Sequence, residues 1–241
     1  VLLWFLLMVS ALESKAELAV LTDDAADTVV WTLRRSSGAF ESRRLQLLDT
    51  VPDLVGFYSE GSAALAADFY DDARADARAG GRFVASPVIL DRTVRIRRGV
   101  AWASEPLSID DEAAAIARLT EVMRSEVSRP YRDTILTNRR RDPAAVGWRR
   151  LASASACGFC KMLAGRGTVY RQATADFGAH ENCGCTAAPV FGKGDVGPEA
   201  SAIQYMASRR QKTPAQRAQI RSYIEANYPD ELLRKHSKTS H

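Results

Sequence analysis

Apolar residues recur at helical spacing through most of the first 140 positions, and breaks in that rhythm divide the chain. Leu12 to Arg34 predicts a first helix, ended by Ser36-Ser37-Gly38. A second covers Glu41 to Asp49 and stops before Pro52. The third runs from Ser62 to Ala79, puts Leu65, Phe69 and Ala73 on one face, and meets Gly80-Gly81. Residues 82–104 alternate instead, Val94 and Ile96 against Arg95 and Arg97, which predicts one or two short strands. Ser108-Ile109-Asp110 then offers polar caps to a core helix carrying Ile116, Leu119, Met123 and Val127. Pro130 to Arg141 predicts another helix, which Pro143 ends.

From Gly147 to Gly197 glycines multiply, cysteines enter and periodicity fades. A helix is expected near Glu199 to Gln211, and Thr213-Pro214 has the cap-then-proline form of a helix start. Ile220, Ile224 and Tyr228 would line the buried side of that last helix, before a basic tail from Pro229. The expected fold is mainly α (α+β), in three parts. Residues 1–130 form a helical N-terminal region, 131–197 a small irregular Cys/His knuckle module, and 198–241 basic C-terminal helices and a tail.

Composition adds little to this, since the balance of apolar and charged residues is that of an ordinary folded soluble protein. The distribution of charge adds more. From Ser208 onward eight Lys/Arg face three acids, while the whole chain carries only +4. Arg209, Arg210, Lys212, Arg217 and Arg221 are the candidate nucleic-acid contacts of this segment, with a solvated charged face as the plainer alternative. A second basic knot lies between Arg132 and Arg150. The apolar run Val1 to Ala11 is too short to span a bilayer, follows no Lys or Arg, and passes at once into Glu13, Lys15 and Glu17. Neither a signal peptide nor a membrane association is expected. Val at position 1 points to an alternative initiation codon or to an N-terminus further upstream.

All four cysteines fall between Cys157 and Cys185. Cys157 and Cys160 have the spacing that lets two sulfurs of one turn face a single ion, and His180, Cys183 and Cys185 supply a second half. Zinc, which takes four such ligands in a tetrahedron, is the expected ion; the preferred set is Cys157, Cys160, His180 and either Cys183 or Cys185. Three alternatives stay open: small buried hydrophobes, disulfides formed later, and a catalytic thiolate, Cys157 or Cys160, with His180 as its base. Between the halves, Gly165 and Gly167 suit a tight turn with Arg166 as a candidate contact, and Trp148 upstream reads as a core anchor.

Several stretches together resemble the phage Mu protein F-like head morphogenesis family, in particular its actinobacteriophage branch. They are Arg132-Asp133-Thr134, Gly147-Trp148-Arg149-Arg150, the Cys157/Cys160 pair, the turn Gly165-Arg166-Gly167, and His180 through Cys185 into Pro189-Val190-Phe191. Ala64 to Arg74 is similar to that branch's N-terminal helix. The spacer from Tyr170 to His180 is short for the branch. The resemblance implies a minor head protein of the virion, assembled in the host cytoplasm with portal, capsid or scaffold proteins and near packaged DNA. Members of the branch are also labelled capsid maturation proteases. A structural role is favoured over a peptidase, because no Ser-His-acid set stands out and the catalytic residues of a protease are unknown beyond the Cys/His pairing above.

Overall fold

The computed structural model of the chain describes residues 2–152, 156–167, 177, 185–192 and 213–228. Its elements are α1 (Leu2–Arg35), α2 (Phe40–Asp76), α3 (Thr93–Ser104), a short 3-10 turn at Glu105–Ile109, α4 (Glu112–Arg141), β1 (Gly147–Leu151), α5 (Gly158–Gly165), β2 (Thr186–Val190) and α6 (Pro214–Asn227). The fold is mainly α, with one two-stranded antiparallel sheet.

Helices α1, α2 and α4 pack against one another, and α3 lies against α2 and α4. One core cluster joins Val29 and Leu33 of α1, Leu47 and Val55 of α2, Val100 of α3 and Met123 of α4. A second joins Leu18, Phe69, Tyr70, Tyr131 and Ile135 to Trp148 and Ala187 of the sheet. Low numbers of α2 therefore meet low numbers of α4 and high meet high. These two helices run parallel, with α1 antiparallel to both.

Four sequence expectations are corrected here. The helices expected at Glu41 to Asp49 and Ser62 to Ala79 are one, α2, which runs straight through Pro52. A helix-interior proline costs about 3 kcal/mol, but Leu47, Val51, Val55 and Tyr58 form an unbroken buried stripe across it, and burying four such side chains offsets that cost at about 1.5–3 kcal/mol each. In the same way α4 continues through Pro130, with Val127 and Tyr131 buried on either side. Its cap is Asp111, whose carboxylate accepts from the Ala114 amide at 2.9 Å, whereas Asp110 is in the left-handed region at φ 57°.

No strand forms at 82–104. Residues 93–104 are helical, and Ile96, Val100 and Ala103 bury a stripe at spacings of four and three while Arg95 and Arg97 turn outward. Residues 82–92 form neither helix nor strand, and side chains of α2 and α4 bond part of their backbone. The Ser86 amide donates to Asn138 Oδ1 (2.9 Å), Asn138 Nδ2 donates back to the Ser86 carbonyl (2.8 Å), and the Val88 amide donates to Thr134 Oγ1 (2.9 Å). Four residues of helix rise about 6 Å and two of extended chain about 6.7 Å. Two side chains four apart on α4 can thus serve backbone groups two apart on the segment.

Candidate functional site

In the hairpin, Trp148 pairs with Pro189, Arg150 with Ala187, and Leu151 with Thr186. The last pair closes the excursion 152–185 at its base, and so sets Cys185 beside the chain that leads into Cys157. Cys157 is the N-cap of α5 and Cys160 lies in its first turn, with the Lys161 amide bonded to the Cys157 carbonyl at 3.0 Å. Cys157, Cys160 and Cys185 fall in one cluster with Ala152, Ala156, Phe159 and Phe177. Cys160 and Cys185 are each 1% exposed and Cys157 is half-buried. His180 and Cys183 lie outside the described residues. Among the described residues no three His, Cys, Asp or Glu side chains stand together as a metal-holding group.

Around the thiols is a feature that spacing alone did not single out. Arg132 and Arg150 are 5% and 3% exposed, rare for a guanidinium. Both approach Phe177: Arg150 stacks 3.8 Å from the ring centre and Arg132 5.4 Å, with the Trp148 ring at 5.5 Å. Arg132 donates to the Cys185 carbonyl at 3.3 Å, and Arg150 Nη1 donates to Cys160 Sγ at 3.9 Å. Buried cations require acceptors or negative charge close by, or the desolvation cost is prohibitive. The signal for this arrangement was the period of a strand, which puts Trp148 and Arg150 on one face. Phe177 had no signal, standing in a spacer of glycine, alanine and aspartate.

The basic knot between Arg132 and Arg150 is therefore not a single surface, since its two ends are inside; Arg140 and Arg141 are exposed and close the C-terminal turn of α4, where cations suit the helix dipole. Trp148 is the core anchor expected, at 2% exposure. Gly167, in the tight turn expected there, takes φ 67°, Arg166 caps α5 before it, and Gly165 is the last residue of that helix.

Helix α6 packs Ile220 and Ile224 on Met162 and Leu163 of α5, with Tyr223, Tyr228 and Phe159 partly buried at the edges. It starts as expected: Thr213 Oγ1 accepts from the Gln216 amide (3.2 Å) and Gln216 Oε1 accepts from the Thr213 amide (2.9 Å), a full capping box with Pro214 behind it. Arg217 and Arg221 are exposed and flank that buried stripe. Arg209, Arg210 and Lys212 lie outside the described residues. No helix among the described residues is long and apolar enough to cross a membrane.

A family model described as VG15 protein matches residues 10–212, which takes in the helical bundle, the hairpin and the cysteine excursion as one unit. No curated protein and no solved structure matches the chain.

Proposed function

The chain belongs to the VG15 protein family, a family of phage and viral proteins, and on that premise we propose that it is a minor head protein of the virion, acting in head morphogenesis at the portal and procapsid interior. In this reading the helical bundle meets portal, capsid or scaffold proteins and the cysteine module staples the C-terminal half. The carrying observation is burial: Cys160 and Cys185 are sealed at 1% exposure beneath Phe159 and Phe177, a position suited to holding chain segments together and poorly suited to meeting a peptide bond. The residue types of the two cysteine motifs suit zinc, although Cys157, Cys160 and Cys185 do not by themselves stand as a metal-holding group. Cys157, Cys160 and Cys185 would supply thiolates, the buried Arg132 and Arg150 would balance their charge, and His180 or Cys183 would complete the set. A bound zinc ion would contribute folding energy directly. Exposed Arg217 and Arg221, with Arg209, Arg210 and Lys212 before them, would face packaged DNA.

Elemental analysis of the purified chain with a thiol count, followed by thermal melting with and without a strong chelator, tests the staple. One zinc per chain and a lowered midpoint on chelation are expected, with Cys157→Ser and His180→Ala alike in losing head assembly through misfolding. Metal-free protein with unchanged melting would remove zinc from the reading. Either variant folding normally, entering heads, and leaving uncleaved capsid precursors would replace the structural role with proteolysis.

A further inference from the structure

The helical bundle is nearly neutral in sum and uneven in distribution. Residues 16–33 of α1 carry Glu17, Asp23, Asp24 and Asp27 and no Lys or Arg. Residues 45–73 of α2 carry Asp49, Asp53, Glu60, Asp68, Asp71 and Asp72, and again no cation. The two stretches lie side by side, because the Tyr58 hydroxyl donates to Asp24 at 2.7 Å and a Cβ at Gly61 would meet Leu21 at 3.5 Å. Neighbouring elements engage this face at its edges. Arg124 of α4 pairs with Asp23 at 2.9 Å, Arg97 of α3 reaches Asp49 at 3.7 Å, and Asp71 accepts the Ala85 amide at 2.9 Å. Between those edges Glu17, Asp27, Asp53, Glu60, Asp68 and Asp72 are exposed and have no ion-pair partner among the described residues.

Within the acidic face stand two large apolar side chains. Each outer stripe reads acid, apolar, acid at helical spacing: Glu17, Val20 and Asp24 on α1, Asp53, Phe57 and Glu60 on α2. Val20 is 71% exposed and Phe57 70%. The exposed tryptophans are covered by cations of their own chain, Trp31 by Arg35 at 4.6 Å from the ring centre and Trp102 by Arg118 at 4.7 Å. No cation lies over Phe57 among the described residues, although two carboxylates flank it. A guanidinium answers both features at once, since it stacks on a ring and pairs with a carboxylate beside it.

We propose that this face docks the basic segment 209–221 of a second copy of the chain, in a head-to-tail contact. That segment holds Arg209, Arg210, Lys212, Arg217 and Arg221 and no acid. Arg217 and Arg221 are exposed on α6 and pair with no carboxylate among the described residues. The other arginine-rich stretch, α3, is engaged within its own molecule: Arg92 with Asp133, Arg95 with Glu126 and Arg97 with Asp49. Helix α6 is seated on α5, and α5 lies against β1. Reaching its own α1–α2 face would mean leaving that seat, whereas a neighbouring copy can be met without it. The contact joins two different patches, so it can continue from copy to copy into a ring or a chain. It needs neither zinc nor DNA, and a copy so docked withholds the same cations from DNA.

Sedimentation of the full chain across concentration and salt tests the contact. Association beyond the monomer is expected at about 50 mM salt and should be at least about ten-fold weaker at about 500 mM, where exposed charges are screened over a few ångströms. Phe57→Lys sets a cation at the centre of the acidic face, and Arg217→Gln with Arg221→Gln removes two cations from the docking segment. Each variant should be largely monomeric at low salt, with circular dichroism and melting like the wild type. Mixed together, they should form a one-to-one pair that grows no further, because each retains one of the two patches. A wild-type chain that stays monomeric at low salt, association that both variants leave intact, or a mixture that does not pair would overturn the docking.

Discussion

Tyr70 and Tyr131 are both fully buried in the lower core, and each keeps its phenol only because the fold answers it. Tyr131 shares a 2.8 Å hydrogen bond with Ser14, and Tyr70 donates at 3.4 Å to Asp142, which Arg74 also holds at 3.0 Å. Burial pushes both phenols well above their ordinary value of 10.0; the Asp142 charge adds to the rise at Tyr70, and the Ser14 bond partly opposes it at Tyr131. The folded chain therefore binds these protons more tightly than the unfolded chain does. Their contribution is complete below about pH 10 and is lost above it, at up to about 1.4 kcal/mol per pH unit for each group. Tyr131→Phe should cost about 1 kcal/mol at pH 8 through the Ser14 bond, and the gap to the wild type in urea midpoint should close, then reverse, as pH rises past 10. A gap independent of pH would contradict this. At this scale the sequence announced Ile220 and Ile224 by helical periodicity, and Trp148 by its residue type, since a large aromatic ring is most often a core anchor. It did not announce Arg132 and Arg150 as interior residues, because a guanidinium's burial depends on which ring and which carbonyl the tertiary fold brings to it.

Helices were legible as elements and misread as segments. Pro52 and Pro130 are strong local stop signals, and each was overridden by an apolar stripe continuing at helical spacing on both sides. In α3 the alternation of Val94, Arg95, Ile96 and Arg97 satisfied a strand period over four residues, while Ile96, Val100 and Ala103 satisfied a helical one over eight. The longer pattern had the greater buried area. The start of α6 was legible outright, since Thr213-Pro214 is a local signal and its capping box is local as well. This helix is held by few buried contacts, Ile220 and Ile224 on α5, so its cap should matter to it and little to the rest. Thr213→Ala should cost about 1 kcal/mol. Hydrogen exchange is the readout: amides of α6 should exchange about five-fold faster while those of α1 to α4 stay unchanged. Uniform loss of protection across the chain would show that α6 is integral to the main core.

At the scale of the whole molecule, the charge imbalance of the C-terminal segment and the neutral bundle divide the proposed tasks. Arg217 and Arg221 stand four apart on α6, both exposed and flanking the buried Ile220 and Ile224, with their charged ends in solvent at the edge of the packed stripe. Contact with DNA through them should be independent of sequence and steeply salt-dependent, since the gain comes from released counterions. Truncation after Ala207 should remove that salt-dependent component, as measured by DNA retention across a salt titration. Retention unchanged by the truncation would exclude the segment as the DNA contact. The cysteine site was legible in part. Its four sulfur positions were visible as a cluster in sequence, and Cys157, Cys160 and Cys185 do fall in one apolar cluster of the fold. The hairpin that gathers them was not foreseen, because its strands are five residues each, and Thr186–Val190 is buried throughout and carries no alternation.

That hairpin also governs how the protein can vary. The Leu151–Thr186 pair clamps the two ends of the excursion 152–185 side by side, so the bundle meets the same two adjacent strands however much chain passes between them. Doubling a flexible loop costs only about 0.6 kcal/mol of closure entropy. A change of length elsewhere between Leu151 and Thr186 would thus weigh little on the helices below, whereas Phe177, which Arg132 and Arg150 both face, ties its own stretch to them. The clamp separates what can vary in length from what must keep its register: chain can be added or removed between the strands while the pairing that anchors it to the bundle stays as it is.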